Sequence, residues 1–331
     1  MKKIINQPNT VVSEMLEGFA KANPEIVYFP GLEVIARRVK EPKVGLVSGG
    51  GSGHEPAHAG YVGRGMLDAA VAGNVFASPS SDRVLKGIQE ANNGKGVLLI
   101  IKNYSGDIMN FDLAKELAEM EGIQVESVVV KDDVAVKDST YSTGRRGIAG
   151  TVFVHKLAGA KAQSGAALPD VKRVAEKTIA GIRSMGMAMS PCILPGVGKA
   201  GFVLGDNEIE IGMGIHGEPG VERTSPKTSS DLAGILCGKI LADMDFSSSE
   251  VAVMVNGLGA TPLMELNILY NDVDKVLSAA GIRIYRALVG NFMTSLEMSG
   301  CSVTLLKLDE ELKALLDAPC DTPALKFLEK H

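Results

Sequence analysis

Cysteine is scarce and unpaired in this chain. Cys192, Cys237, Cys301 and Cys320 lie far apart and form no CxxC pair. That spacing reads as buried free thiols in a reducing cytoplasm rather than a disulfide framework. Charge of one sign is not concentrated either. The net charge is −5, aromatics make up 5 %, and no basic stripe interrupts the sequence, which argues against nucleic-acid binding. No run of about 18 apolar residues occurs, so no segment is expected to span a membrane. The opening MKKIINQPNTVV has two lysines but no apolar h-region and no small-residue cleavage site, so no signal peptide is read. Tryptophan is absent, which by itself excludes nothing.

Nucleotide signatures are missing as well. A phosphate loop needs GxxxxGK followed by Ser or Thr. The nearest candidate is Gly198-Lys199, but Ile193 stands where the first glycine belongs and Ala200 follows the lysine. GxGxxG fails too: counted from Gly49 it ends on His54, and from Gly51 on Pro56. The glycine loop could still offer amides to an anion, a weak signal alone.

What is present is length, apolar content and alternation. At 331 residues and 45 % apolar, the chain exceeds one ordinary core and is expected to form two α/β domains. An amphipathic helix is read over Val11–Ala22. Lys43–Ser48 reads as a strand, Gly65–Ala72 as a closely packed helix, Ser81–Ala91 as a helix, Gly96–Ile101 as a strand buried on both faces. Phe111–Met120 is a helix, Val125–Val130 a strand, and Thr151–Gly159 and Val171–Met187 are helical. This strand, glycine turn and helix alternation predicts a doubly wound, mostly parallel sheet over residues 1–185. Residues 186–331 read as a smaller mixed-sheet α/β domain. Strands are expected at Phe202–Leu204, Glu208–Met213, Val251–Val255, Ile282–Leu288 and Ser302–Lys307. Helices are expected at Ser229–Met244, Pro262–Ala279 and Glu310–Leu316, with a turn and short helix in Gly290–Met298.

The stretch from Ser48 to Pro79 carries the strongest chemical signal. Gly49, Gly50, Gly51 and Gly53 follow an apolar strand, with Ser52 among them, and His54 comes next. So many glycines cost backbone entropy and are kept where a chain turns tightly or lies against a ligand. In open α/β sheets ligands bind at the strands' carboxyl ends. A second such end carries Lys102, Asn103, Tyr104 and Asp107. A second histidine-bearing loop, Gly214-Ile215-His216-Gly217-Glu218-Pro219-Gly220, comes from the other half, and echoes His54-Glu55-Pro56. Two glycine-framed histidines and one carboxylate fit a site that handles a carbonyl or hydroxyl, because neutral imidazole can add to a carbonyl or accept a proton.

Plainer readings compete with each of these. His54-Glu55-Pro56-Ala57-His58 formally matches HExxH, the zinc-protease motif. A Gly/Ser run precedes it, Pro56 interrupts it, and no third ligand stands at useful spacing. His58 then reads as a structural histidine at a helix start, and His155 simply as a helix residue. Asp107 alone reads as a helix cap. Asp132-Asp133 and Arg145-Arg146 read as solvated loop charges or interface residues.

Several long motifs occur together and in order: GGGSGHEPAHAGYVGRGML, then FASP, IIKNYSGDIMNF, DDVAVKDSTYSTGRRGIAGT, GIHGEPG, NGLGATPLMEL, GNFMTSLEMSG and DAPCDTPAL. Across essentially the whole chain they closely resemble the K subunits of dihydroxyacetone kinases. The resemblance implies two α/β domains, a homodimer, and dihydroxyacetone as the ligand. It implies that the histidine of GIHGEPG, here His216, holds the substrate's C2 carbonyl as a covalent hemiaminal. His54 and Asp107 would act on the substrate hydroxyl as base and hydrogen-bond partner, with Gly51, Ser52, Gly53, Ser78 and Lys102 lining the substrate. No metal is implied in this chain. The phosphoryl group would come from ADP or ATP with Mg²⁺ on a separate L subunit, rephosphorylated by an M subunit of the phosphotransferase system. The C-terminal nucleotide domain of fused enzymes is not expected, since little sequence follows Thr322-Pro323-Ala324-Leu325. Ser80-Ser81 departs from the Thr-Pro type of pair expected after Ser78-Pro79. The family also holds paralogues that bind dihydroxyacetone as transcriptional co-activators with a DNA-binding regulator, and His216 does not exclude that role.

Overall fold

A computed structural model describes residues 2–137, 144–198 and 200–328. Lys199, His331 and the middle of the DDVAVKDSTYSTGRRGIAGT stretch lie outside them. The first part of the chain supplies strands β1 (Ile26–Phe29), β2 (Val34–Arg37), β3 (Gly45–Ser52), β4 (Ala69–Val75), β5 (Val97–Lys102) and β6 (Val125–Val130). They form one sheet in the order β1-β2-β4-β3-β5-β6. β4, β3, β5 and β6 run parallel, and β1 and β2 join antiparallel at one edge. The helices are α1 (Val11–Ala22), α2 (Ser81–Ala91), α3 (Ser105–Met120), α4 (Thr151–Gln163) and α5 (Leu168–Gly181). Val84 and Ile88 of α2 and Phe111 and Ala114 of α3 pack on the sheet face of Val47, Val71, Leu99 and Ile101. Val152, Phe153, Val171 and Val174 of α4 and α5 pack on the opposite face, against Leu46, Leu98 and Ile100. Helices on both faces of a mostly parallel sheet make the doubly wound arrangement expected.

The second sheet uses β7 (Ile182–Ser190), β8 (Ile209–Ile211), β9 (Glu222–Thr224), β10 (Glu250–Gly257), β11 (Arg283–Gly290) and β12 (Ser299–Leu308). Its order is β11-β10-β12-β7-β8-β9. Only β10 and β11 are parallel, so the sheet is mixed. Helices α6 (Ser229–Asp243) and α7 (Leu263–Ala279) cover the face of Val251, Val253 and Val255. The alternate residues Ala252 and Met254, with Leu306, turn the other way and join the cluster built on α4 and α5. Helix α8 (Glu310–Asp317) adds Leu312 and Leu316 to that cluster. The two sheets thus share one helical layer. This accounts for α4, which is buried from Thr151 to Ala160: a helix apolar on every side belongs between two surfaces. All four cysteines are buried and unpaired. No described helix is long and apolar enough to cross a membrane.

Several sequence expectations are corrected. The glycine run Gly49–Gly51 lies within β3 rather than in a loop after it. Gly65–Ala72 is not a helix; its second half opens β4, where small residues let neighbours approach. A Cβ on Gly49 would sit 2.3 Å from the Val71 carbonyl oxygen. Helix α5 ends at Gly181, and residues 182–187 instead pair antiparallel with β12. Residues 202–204 form no strand; the Phe202 ring packs over Gly217. Residues 291–298 hold turns and no helix. Helix α3 begins at Ser105, so Asp107 stands in its first turn instead of capping a later helix.

Candidate active site

The site forms where the carboxyl ends of β3 and β5 meet loops of the second sheet. His54, two residues beyond β3, is completely buried. Its loop is gripped by the segment after β11: Leu296 N–H donates to Gly53 O at 2.7 Å and Thr294 N–H to His54 O at 3.2 Å. Asn256 on β10 braces that segment, its Oδ1 accepting from the Phe292 and Met293 N–H groups at 2.8 and 2.9 Å. The His54 ring then places Nδ1 2.8 Å from the Thr294 carbonyl oxygen. A carbonyl only accepts, so Nδ1 carries the hydrogen and Nε2 is left with a lone pair. Burial first, then the charges of His216 and Lys102, push the His54 pKa well below its usual value.

His216 arrives on the loop between β8 and β9. Its Nε2 lies 3.0 Å from His54 Nε2. Glu218 clasps it twice: Oε2 accepts the His216 backbone N–H at 2.9 Å, and Oε1 lies 3.0 Å from Nδ1. Gly214 leaves room for this clasp, since a Cβ would stand 2.1 Å from Glu218 Oε2. Burial opposes the charge on Glu218, but the bonds from His216 outweigh it and hold the carboxyl down at about 2. Facing a carboxylate, Nδ1 of His216 also carries a hydrogen. Two bare Nε2 atoms would repel at 3.0 Å, whereas one proton between them would make the contact a hydrogen bond. Such a proton would give the pair one positive charge, beside the Glu218 carboxylate.

Aromatic rings wall this pair. Phe76 stacks on His54 at 5.2 Å and meets His216 edge-on at 5.2 Å; Tyr104 meets His216 edge-on at 4.6 Å. Phe76 adopts φ +57°, a left-handed conformation costly for a bulky residue. A Cβ on Gly53 would lie 2.7 Å from the Phe76 ring, and one on Gly51 2.7 Å from Ala77 N. These glycines therefore admit the Phe76 turn. The Ser52 hydroxyl donates to Gly73 O at 2.7 Å and its carbonyl accepts the Phe76 N–H at 2.9 Å, which ties the end of β3 to the Phe76 turn. Ser78 sits over the start of α3, where a Cβ on Gly106 would be 2.8 Å from its Oγ.

Lys102 and Asp107 complete the cluster, both buried. Lys102 Nζ lies 3.6 Å from Asp107 Oδ2. Gly50 makes room for them, because a Cβ there would be 2.3 Å from Lys102 Nζ. Asp107 Oδ1 is buried with no hydrogen-bond partner among the described residues, an acceptor open to a ligand hydroxyl. Asp132, Asp133 and Arg146 are buried rather than solvated. Asp132 accepts the N–H groups of Ile148 and Gly150, and Arg146 pairs with Asp133 and donates to Gly212 O, tying the His216 loop to the first sheet.

The HExxH reading fails on geometry. Residues 54–61 form turns ending in one short 3₁₀ turn, and His58 Nε2 faces Lys102 while His54 Nε2 faces His216. Among the described residues no three His, Cys, Asp or Glu side chains are grouped to hold a metal. Sequence reasoning missed Glu218 and Thr294 as ring partners. Glu218 left a trace in the echo of HEP and HGEP: Glu55 also accepts a loop N–H, from Gly53 at 3.0 Å. The Thr294 contact is a backbone carbonyl, which leaves none.

The Dak1 domain pattern matches residues 17–324. A PTS-dependent dihydroxyacetone kinase 1, dihydroxyacetone-binding subunit DhaK, of Listeria innocua is 54 % identical, over 98 % of this chain and 100 % of its own. The corresponding Lactococcus lactis subunit is 52 % identical, covering 94 % of each chain. Among solved structures, a dihydroxyacetone kinase operon co-activator superposes with TM-score 0.91 at 38 % identity, over 98 % of this chain and 100 % of that one. The dihydroxyacetone kinase of C. freundii, in complex with AMP-PNP and Mg²⁺, superposes with TM-score 0.90 at 37 % identity, over 97 % of this chain and 60 % of the longer one. By the span of the match and the level of identity, the chain belongs to the Dak1 domain family.

Proposed function

We propose that this chain is the dihydroxyacetone-binding subunit of a PTS-dependent dihydroxyacetone kinase, and that it holds the ketone covalently on His216. The observation that carries this is the 3.0 Å contact between His54 and His216 Nε2 atoms, each ring oriented by its Nδ1. A small ketone entering between the rings takes the place of that contact. His216 Nε2 donates its lone pair to C2 while the C=O π pair moves to oxygen. The shared proton goes to that oxygen and makes a hydroxyl. The alkylated imidazole keeps Nδ1–H and the positive charge, beside the Glu218 carboxylate. Charge and protons balance without exchange with solvent. Asp107 Oδ1 accepts from a terminal hydroxyl, and His54 Nε2 takes that hydroxyl's proton as phosphoryl transfer proceeds. A three-carbon ligand has few atoms from which to draw affinity, and carbonyl capture rejects glycerol, which has no carbonyl.

The donor would be a nucleotide with Mg²⁺ on a separate L subunit, rephosphorylated by an M subunit, with this chain as a homodimer. Identities of 52–54 % to kinase subunits support this assignment. The fold likeness to an operon co-activator at TM-score 0.91 favours a second reading, ligand sensing with a DNA-binding regulator. Reconstitution separates them. With L and M subunits and phosphoenolpyruvate, the first reading predicts dihydroxyacetone phosphate. Ligand binding without product, together with capture of a regulator, would favour the second.

A further inference from the structure

His58, the second histidine of the HExxH-like run, has no part in the chemistry above, yet it lies in a buried polar chain that leads to it. Ser48 Oγ lies 2.7 Å from the Ile100 carbonyl oxygen and 3.3 Å from His58 Nδ1. The hydroxyl has one hydrogen, and a carbonyl can only accept it. Ser48 Oγ must therefore accept from His58 Nδ1–H, which fixes the tautomer and leaves His58 Nε2 bare. That lone pair faces Lys102 Nζ at 3.2 Å. Lys102 is wholly buried. An ammonium has three N–H bonds, and three acceptors surround this one: Gly49 O at 3.2 Å, His58 Nε2 at 3.2 Å and Asp107 Oδ2 at 3.6 Å. Behind His58 stands the ring of His155, 5.2 Å away, with both nitrogens buried and unpartnered among the described residues. It serves as an apolar wall on that side.

We propose that His58 is a positioning residue for the ketone site: its bare Nε2, fixed by Ser48, holds the Lys102 ammonium charged and aimed at Asp107, so that Asp107 keeps Oδ1 turned toward the ligand. The consequence for catalysis rests on the function proposed above; the relay itself does not. Burial of Lys102 drives its pKa down and the Asp107 charge opposes this, so loss of an acceptor tips the balance further toward the neutral amine. The titratable groups facing Lys102 are Asp107 on α3 and His58, with Tyr104, His155 and His54 further away.

The test is a ligand-free pH titration of the full chain carrying ¹³Cε,¹⁵Nζ-lysine, followed by NMR, with Lys102→Met identifying the signal. In His58→Phe, which keeps a ring but no acceptor, Lys102 loses its proton at lower pH than in the wild type. In His58→Gln, whose amide oxygen can accept, the shift is largely reversed. Ser48→Ala frees the tautomer and gives a smaller shift in the same direction, so it carries the test if His58→Phe does not fold. An unchanged Lys102 titration in the folded His58→Phe or Ser48→Ala protein overturns the relay. In turnover, His58→Phe lowers kcat by roughly tenfold or more, leaves KM within about twofold, and His58→Gln restores much of the loss. Equal kcat in the two variants also overturns it. A wild-type chain that forms no ketone adduct refutes the functional reading instead, while the titration still decides the relay.

Discussion

His54 and His216 bring the same ring into one site from two halves of the chain, but what surrounds each differs in every respect that governs a proton. His54 follows a central parallel strand, is wholly buried, and gives its Nδ1–H to a neutral backbone carbonyl. His216 stands on a loop between two three-residue strands, keeps 19 % of its side chain exposed, and gives its Nδ1–H to a carboxylate. Low dielectric disfavours charge on the first, while the second faces an anion at 3.0 Å. On the function proposed above, the first ring serves as proton acceptor and the second as carbonyl trap, 3.0 Å apart. The fold distinguishes the two rings through their Nδ1 partners.

The largest effect should come from removing the trap. His216→Ala abolishes the covalent dihydroxyacetone adduct, read as loss of the mass shift on intact protein trapped under native conditions. Exchanging the counterion attacks the same half of the contrast more gently. Glu218→Gln keeps a hydrogen-bonding group but leaves the adduct's imidazolium without an opposite charge, and should weaken adduct formation on the order of tenfold to hundredfold. Its half-saturation by ketone, followed by intact mass, measures this; an unchanged value would return Glu218 to a merely structural role. On the other half, His54→Asn should still bind the ketone while phosphoryl transfer in the reconstituted system slows. Unchanged turnover removes His54 as the base.

The two halves also differ in how stability depends on pH. Glu218 has a folded-state pKa depressed from 4.5 to about 2. Its contribution is therefore fully present above about 4.5 and is lost as pH falls toward 2. The gap in melting temperature between wild type and Glu218→Gln should close over that interval. His155 has its pKa lowered from 6.5 to about 3, by burial and then by Lys102. Below pH 6.5 the unfolded chain takes up a proton there that the folded chain refuses, so folding weakens by at most about 1.4 kcal/mol per pH unit. His155→Leu should lose less stability than wild type between pH 7 and 4, in chemical melts at fixed temperature. Equal losses would mean that His155 takes up its proton in the folded chain as readily as in the unfolded one.

The residue pattern made the two histidines, Asp107, Lys102 and the alternation of the first sheet legible, because glycine-framed polar residues at strand ends stand out against apolar runs. It misled where residues were too small to show a period. Gly49–Gly51 and Ala69–Ala72 pair side by side as strands, yet alternation cannot be seen in residues that scarcely possess side chains. Residues 182–187 follow a helix with one turn fewer than expected, and only pairing with β12 makes them a strand. Thr294 was beyond reach for another reason: it acts through a carbonyl that every residue owns. Its placement depends on Asn256 fixing residues 292–293 from a different strand.

The account rests on the ketone carbon becoming bonded to the more exposed of the two rings. ¹³C NMR of the full chain with dihydroxyacetone labelled at C2 tests this directly. The account predicts that the bound carbonyl resonance gives way to that of a tetrahedral carbon coupled to an imidazole nitrogen in ¹⁵N-histidine protein, and that this signal is missing from His216→Ala. A bound ligand that keeps its ketone resonance, or a tetrahedral carbon that persists in His216→Ala, would contradict it.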